Sequence, residues 1–300
     1  MITIRDLDRA LLEYLGADVE DVANVAQYII SAGGKRIRPT FFFLITQMLE
    51  GDQEKVLPLC VGIEYIHVAS LLHDDVVDGA QTRRGKKSAN LVFGNGVSVL
   101  GGDYMYARAL WLYSKFGNME SIRILSQAVM DMSQAQVLEL KSIGKLIDEE
   151  TYFRIIDGKT ASLFGATFSI ASLMAGREDY EDFYQVGMAV GRAFQLMDDA
   201  LDYVGSEDKL GKPVANDLRE GKCTYPLISI LGFLDVKSVQ EAFMSKDVEW
   251  LRKKVIELGG VEKTKERARQ EIEKALNFFR NFENSEEVVK LIITVVERDF

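Results

Sequence analysis

Apolar residues return at intervals of three and four along most of the 300 residues, and only four prolines interrupt them. Strict apolar–polar alternation, the mark of a half-buried strand, is hard to find. The pattern predicts an all-α chain, with helices over 4–15, 19–31, 39–49, 55–78, 88–93, 96–116, 119–143, 149–175, 179–204, 224–232, 237–242, 246–258, 260–282 and 285–298. The clearest breaks are the glycine pairs at 33–34 and 101–102 and the polar segment 205–222. A connection of that length inside a compact chain is usually functional. No low-complexity linker divides the helices, so 1–300 reads as one domain. From 243 onward Lys and Glu recur at ion-pair spacing, which reads as solvated helix faces without chemistry.

Composition narrows the choice of partner. With 47% apolar residues the chain can bury a sizeable core, and 46 acidic against 36 basic residues give a net charge of −10. That balance argues against a nucleic-acid protein held by a general basic field, so a phosphate ligand must be met locally. Cys60 and Cys223 lack CxxC spacing, which argues against a disulfide framework or a zinc site. The charged N-terminus does not read as a signal peptide, and no run of roughly 18 uninterrupted apolar residues is seen. The expectation is a cytoplasmic protein with at most peripheral membrane contact.

Candidate chemistry begins with LLHDDVVDGAQTRRG. Asp74, Asp75 and Asp78 lie within one helical turn of each other, and the spacing predicts that all three share one face. Like charges so placed cost a helix a few tenths of a kcal/mol per pair, and burial raises the cost unless a cation is bound. A hard divalent ion such as magnesium suits the spacing, because it keeps waters and shares substrate phosphates. The bland reading is an exposed acidic helix end. The cluster recurs as Asp198, Asp199 and Asp202 in AFQLMDDALDYVG, which makes chance less plausible. Six carboxylates at one mouth of a helical bundle would match three divalent cations, and a diphosphate bridging them would be a stabilised leaving group.

Basic residues lie where phosphates could be met. SAGGKRIRPT places a glycine pair before Lys35, Arg36 and Arg38, with Pro39 at the first turn of the next helix. Arg83 and Arg84 can reach back over the first acidic cluster, whereas Lys86 and Lys87 read as solvated. Lys159 and Thr160 interrupt an apolar helix, where a buried lysine needs an anion and a terminal one would reach solvent. Lys212 and Lys222 sit in the polar segment after the second cluster, whose closure would exclude water. His67 lies two turns before Asp74, near the same helical face; His73 reads as a packing residue.

GGKRIRP at 33–39, LLHDDVVD at 71–78 with RRG at 83–85, KTASLF at 159–164 and QLMDDALD at 195–202 together resemble the trans-type isoprenyl diphosphate synthases, as does GKPVANDLREGKCTYPLI at 211–228. The resemblance implies an all-helical bundle with a central apolar cavity, usually a homodimer, with three magnesium ions at its mouth. It implies that Asp74, Asp75, Asp78, Asp198 and Asp202 hold magnesium against an allylic diphosphate, farnesyl or geranylgeranyl, helped by Arg83, Lys159, Lys212 and Lys222. Lys35, Arg38, His67 and Arg84 would bind isopentenyl diphosphate, while Thr160 and Gln195 would steady the allylic cation. Two rivals are a class I terpene cyclase, which would have no use for the isopentenyl site, and a non-catalytic subunit of a heteromeric synthase.

On that implied architecture the product tail would descend along the helix bearing Asp74, past Ser70, Ala69 and Ile66, the last about 12 Å deeper. Two small residues below the metals favour a long product. Bulky residues of the helix near 119–143, Leu125 and Met130 among them, are the expected cavity floor.

Overall fold

The structure is a computed structural model that describes residues 3–204, 214–245 and 247–296. Its elements are α1 (Ile4–Glu13), α2 (Glu20–Ser31), α3 (Ile37–Met48), α4 (Gln53–Val77), a hairpin of β1 (Thr82–Arg83) and β2 (Lys86–Lys87), α5 (Ala89–Phe93), α6 (Asn95–Phe116), α7 (Met119–Ser142), α8 (Glu149–Ile156), a π-helical turn (Asp157–Ala161), α9 (Ser162–Met174), α10 (Tyr180–Val204), α11 (Asn216–Glu220), α12 (Tyr225–Ile228), α13 (Val236–Ser245), α14 (Val248–Glu257), α15 (Gly260–Phe279) and α16 (Glu286–Val296). The all-α expectation holds: among the described residues the only strands are the two residue pairs of the hairpin. Residues 1–129 with 166–183 cluster as one compact unit and 130–165 with 184–300 as a second.

In the first unit α4 is the central element, apolar on nearly every side because it is enclosed on nearly every side. By length and composition α4 would pass as a membrane span, with mean hydropathy 1.5, yet 72% of that stretch is buried inside the protein. It is therefore read as a core helix. Glycines let α6 lie close along α4: a Cβ on Gly62 would stand 2.7 Å from the Tyr113 ring, and one on Gly102 would stand 2.3 Å from His73. The Tyr113 hydroxyl donates to the Leu59 carbonyl at 3.1 Å, and Tyr65 donates to the Leu11 carbonyl at 2.7 Å, tying α4 to α6 and α1. Phe41 of α3 packs on Phe168 of α9 with ring centroids 4.9 Å apart.

The second unit buries Tyr203, Leu218, Leu227, Phe243, Leu251 and Val261 in one cluster. Here the helix expected over 149–175 is interrupted. The π turn inserts at Asp157–Ala161, where Gly158 presses on α7 so closely that a Cβ would be 2.6 Å from the Asp131 carbonyl oxygen and the Ala135 Cβ. The helix expected over 224–232 divides into α12 and a 3₁₀ turn, Leu231–Phe233, and the polar segment contains α11. The C-terminal region is not uniformly solvated either: Glu271 of α15 is fully buried among Arg267, Lys274 and Arg192.

Candidate active site

The first acidic cluster closes α4. Asp78 caps the helix, Gly79 follows at φ +61°, the Ala80 N–H donates to the Asp75 carbonyl at 2.9 Å and the Gly79 N–H to the Val76 carbonyl at 3.4 Å, the two bonds of a Schellman ending. Three carboxylates thus stand at the negative end of a helix dipole, where each anion costs about 0.3–1 kcal/mol in addition to their mutual repulsion. A nearby cation offsets that penalty.

The three do not share one face as expected. Asp74 is half-buried and Asp78 exposed, but Asp75 turns inward to 0% exposure. Its Oδ1 accepts from Arg83 Nε at 2.9 Å and Nη2 at 2.5 Å. Residues 100° apart on a helix cannot all point outward when one side is core. Asp75 Oδ2 is buried and has no hydrogen-bond partner among the described residues. An orphaned carboxylate oxygen beside two further carboxylates is a donor set that a hard cation completes. No group of three or more His, Cys, Asp or Glu side chains is gathered to hold a metal unaided among the described residues.

Arg83 and Arg84 are aimed by the hairpin. Thr82 pairs with Lys87 and Arg83 with Lys86, and the two turn residues Arg84 and Gly85 have φ +53° and +74°, as a type I′ turn requires. Arg83 therefore points back to Asp75. The Arg84 guanidinium comes to 3.0 Å from where a Gly34 Cβ would be, with Arg36 Nη1 at 3.1 Å, so the glycine makes room for two cations. Arg36 is buried, donating to Glu64 Oε1 at 2.8 Å, Asp8 Oδ1 at 2.9 Å and the Ile30 carbonyl at 2.9 Å. Burial draws the Arg38 guanidinium down to about 10. His67 sits among these groups. Burial, then the charges of Arg38, Arg84, Arg36 and Arg83, hold its imidazole well below the usual histidine value. A neutral ring in the field of four guanidinium groups is a place where an anion is welcome. Lys35 is exposed at the edge of the same loop. His73 packs as expected, within 3.0 Å of the Val99 carbonyl on α6 and against the Tyr106 ring.

The second cluster, on α10, is also divided. Asp198 is exposed, while Asp199 and Asp202 are buried. Asp199 Oδ2 accepts from the Tyr152 hydroxyl at 2.6 Å and Oδ1 from Gln195 Nε2 at 2.9 Å. Burial and neighbouring Asp217 raise its carboxyl well above the ordinary range. Asp199 is thus held as an internal acceptor of Tyr152 and Gln195. Asp202 Oδ2 accepts the Asp217 N–H at 3.0 Å and holds the start of α11.

Beside it lies a cavity of about 150 Å³, lined by Glu139, Lys159, Thr160, Gln195, Asp199 and Lys222 among others. The π turn delivers Lys159 and Thr160 to its wall. The Thr160 hydroxyl donates to Gln195 Oε1 at 2.9 Å, so Thr160, Gln195, Asp199 and Tyr152 form one hydrogen-bonded chain. Lys159 pairs with Glu139, and Lys222 pairs with Glu220 at 2.7 Å. Burial alone would lower Lys222, but Glu139 and Glu220 bring it above the usual lysine value. Lys212 lies outside the described residues.

Several site residues left little trace in the sequence. Glu64 had one, a lone acid in the apolar run VGIEYIHVAS one turn before His67. Glu139 is hidden in a polar helix, and Tyr152 reads as an ordinary core residue. Of the chain-length residues, Ile66 and Ala69 are fully buried, and the Ser70 hydroxyl donates to the His67 carbonyl at 2.7 Å. Leu125 is buried, but Met130 is 51% exposed and cannot be a cavity floor: it projects from the outer side of α7.

The family model for polyprenyl synthetase matches residues 19–255. The octaprenyl diphosphate synthase of Escherichia coli is 37% identical, over 92% of this chain and 89% of its own length. A short chain isoprenyl diphosphate synthase of Methanocaldococcus jannaschii is 35% identical, over 77% and 72%. Among solved structures, a polyprenyl synthase from Caulobacter crescentus, complexed with calcium and isoprenyl diphosphate, superposes with a TM-score of 0.91 at 33% identity, covering 98% of this chain and 94% of that one. An acid-ended helix, an arginine pair meeting over a glycine and a lysine–threonine turn occur here in a chain matched by that model over most of its length, so the protein belongs to the polyprenyl synthetase family and is a prenyltransferase.

Proposed function

We propose that this enzyme elongates an allylic diphosphate, farnesyl or geranylgeranyl, by successive additions of isopentenyl diphosphate, giving an all-trans long-chain polyprenyl diphosphate and releasing diphosphate at each step. The observation that carries this reading is the meeting of the Arg36 and Arg84 guanidinium groups over Gly34, with Arg36 tied to Glu64 one turn before His67 on α4. A cyclase, which takes one diphosphate, has no need of a second anion site at this distance along α4 from the acidic helix end.

Lys35, Arg38, Arg84 and neutral His67 bind the isopentenyl diphosphate, with Glu64 setting the position of the arginines. Family membership leads us to expect three magnesium ions, which Asp74, Asp75 and Asp78 of the first unit and Asp198 of the second would help to hold, while Asp202 braces the start of α11. Bound magnesium supplies Lewis acidity to the departing diphosphate. Lys159, Lys222 and Lys212, with Arg83, add charge for that anion. The Thr160 proton is committed to Gln195, so the lone pairs of its hydroxyl oxygen are available to the allylic cation. The working unit is a homodimer in this proposal.

Asp74→Ala is expected to lower diphosphate release and incorporation of radiolabelled isopentenyl diphosphate about a hundredfold or more. An unchanged rate at saturating magnesium would refute the assignment. Cyclised hydrocarbon without incorporation would establish the cyclase instead, and turnover that appears only with an added partner chain would establish the subunit.

A further inference from the structure

Asp157 opens the π turn, and Arg192 of α10 grips it with a two-pronged ion pair, Nε to Oδ1 at 2.5 Å and Nη2 to Oδ2 at 2.8 Å. The third nitrogen of the same guanidinium, Nη1, lies 3.9 Å from Oε2 of fully buried Glu271 on α15. Glu271 is itself held by Arg267 at 2.8 Å and by Lys274 at 2.9 Å. The next residue of the turn, Gly158, rests on the Asp131 carbonyl and Ala135 of α7. The turn that carries Lys159 and Thr160 is therefore clamped between a helix backbone and a planar fork whose own orientation is fixed from α15. None of these charged groups lines the 150 Å³ cavity that Lys159, Thr160 and Gln195 share.

We propose that Arg192 is a positioning residue for the prenyl transfer, acting through Asp157 to keep the π turn open and the Thr160 hydroxyl on Gln195. The physical need is plain. A π turn sacrifices regular helical bonding and persists only where the surroundings over-determine it. Without the fork, the segment can relax toward α geometry, which rotates every later side chain of the turn by a fraction of a residue. Small displacements of groups that face the reacting atoms cost large factors in rate. An exposed ion pair would be too weak for this task, but these partners are only 29% and 26% exposed, and the guanidinium is tied on two sides. This inference rests on the role proposed above for Thr160.

The test is a double-mutant cycle between Arg192→Ala and Thr160→Val in the full-length enzyme, measuring kcat and KM for a single isopentenyl addition to farnesyl diphosphate. Arg192→Ala is expected to lower kcat about tenfold with little change in the KM for isopentenyl diphosphate, and to lower it less than about twofold once Thr160 is Val. Arg192→Lys, which keeps the charge and loses the fork, is expected to recover only part of the rate. Equal factors in both backgrounds, or a wild-type kcat for Arg192→Ala, would overturn the proposal. A Thr160→Val enzyme with wild-type kcat would instead remove the reading of Thr160, and this is seen without reference to Arg192. If Arg192→Ala does not fold by circular dichroism, Asp157→Asn and Arg192→Lys take its place in the cycle, with the same criterion.

Discussion

His67 shows how one residue takes its chemistry from its neighbours. An imidazole ordinarily titrates at about 6.5. Here burial and then four guanidinium charges favour the neutral ring, so the folded value lies well below the unfolded one. A depressed folded value means that His67 contributes stability in full above about pH 6.5, and that this contribution is lost as pH falls from there toward the folded value. His67→Gln should therefore flatten the fall in unfolding free energy below pH 6.5, read from urea denaturation at a series of pH values. An undiminished acid slope in the variant would show that the ring is not held neutral. Asp75 and Asp199 follow the same logic. Each belongs to a triplet of like spacing with its cluster mates, yet each turns into the protein and is committed, one to Arg83 and the other to Tyr152 and Gln195.

At the scale of elements, the acidic residues gain meaning from where their helices stop. α4 ends in a Schellman turn at Gly79 directly after Asp78, so the first cluster occupies the negative pole of a dipole. The π turn has the opposite character: it spends regularity to place Lys159 and Thr160. Gly158→Ala tests this, because a Cβ there would meet the Asp131 carbonyl at 2.6 Å and either α7 or the turn must move. We expect a loss of about 1–3 kcal/mol in unfolding free energy together with a fall in kcat. Retention of both would mean that the contact is slack and the turn is set elsewhere.

For the whole molecule, the product length is the property that follows from assembly. If the growing chain passes down α4 from Asp74, Ala69 and Ser70 leave its upper course open, and Ala69→Phe should shorten the products, read by chromatography after dephosphorylation. An unchanged length distribution would place the path elsewhere. Relatives of nearly equal identity make an octaprenyl product in one case and are named short chain in another, so the overall resemblance does not settle this length.

Helical class, the position of nearly every long helix and both acidic clusters follow from the sequence alone, because a period of 3.6 residues and carboxylates spaced one turn apart are local facts. The expected grouping of Lys35, Arg38, His67 and Arg84 came only from the order of several motifs along the chain. Tertiary structure decided the rest. Which member of each Asp triplet faces outward depends on which side of the helix meets the core. The burial of Glu271 depends on Arg192, 79 positions earlier in sequence, and no local pattern distinguishes that acid from the solvated ones around it. Likewise the π turn arises where Gly158 meets the α7 backbone and Asp157 meets a distant arginine, contacts between segments whose own periodicity predicts an unbroken helix.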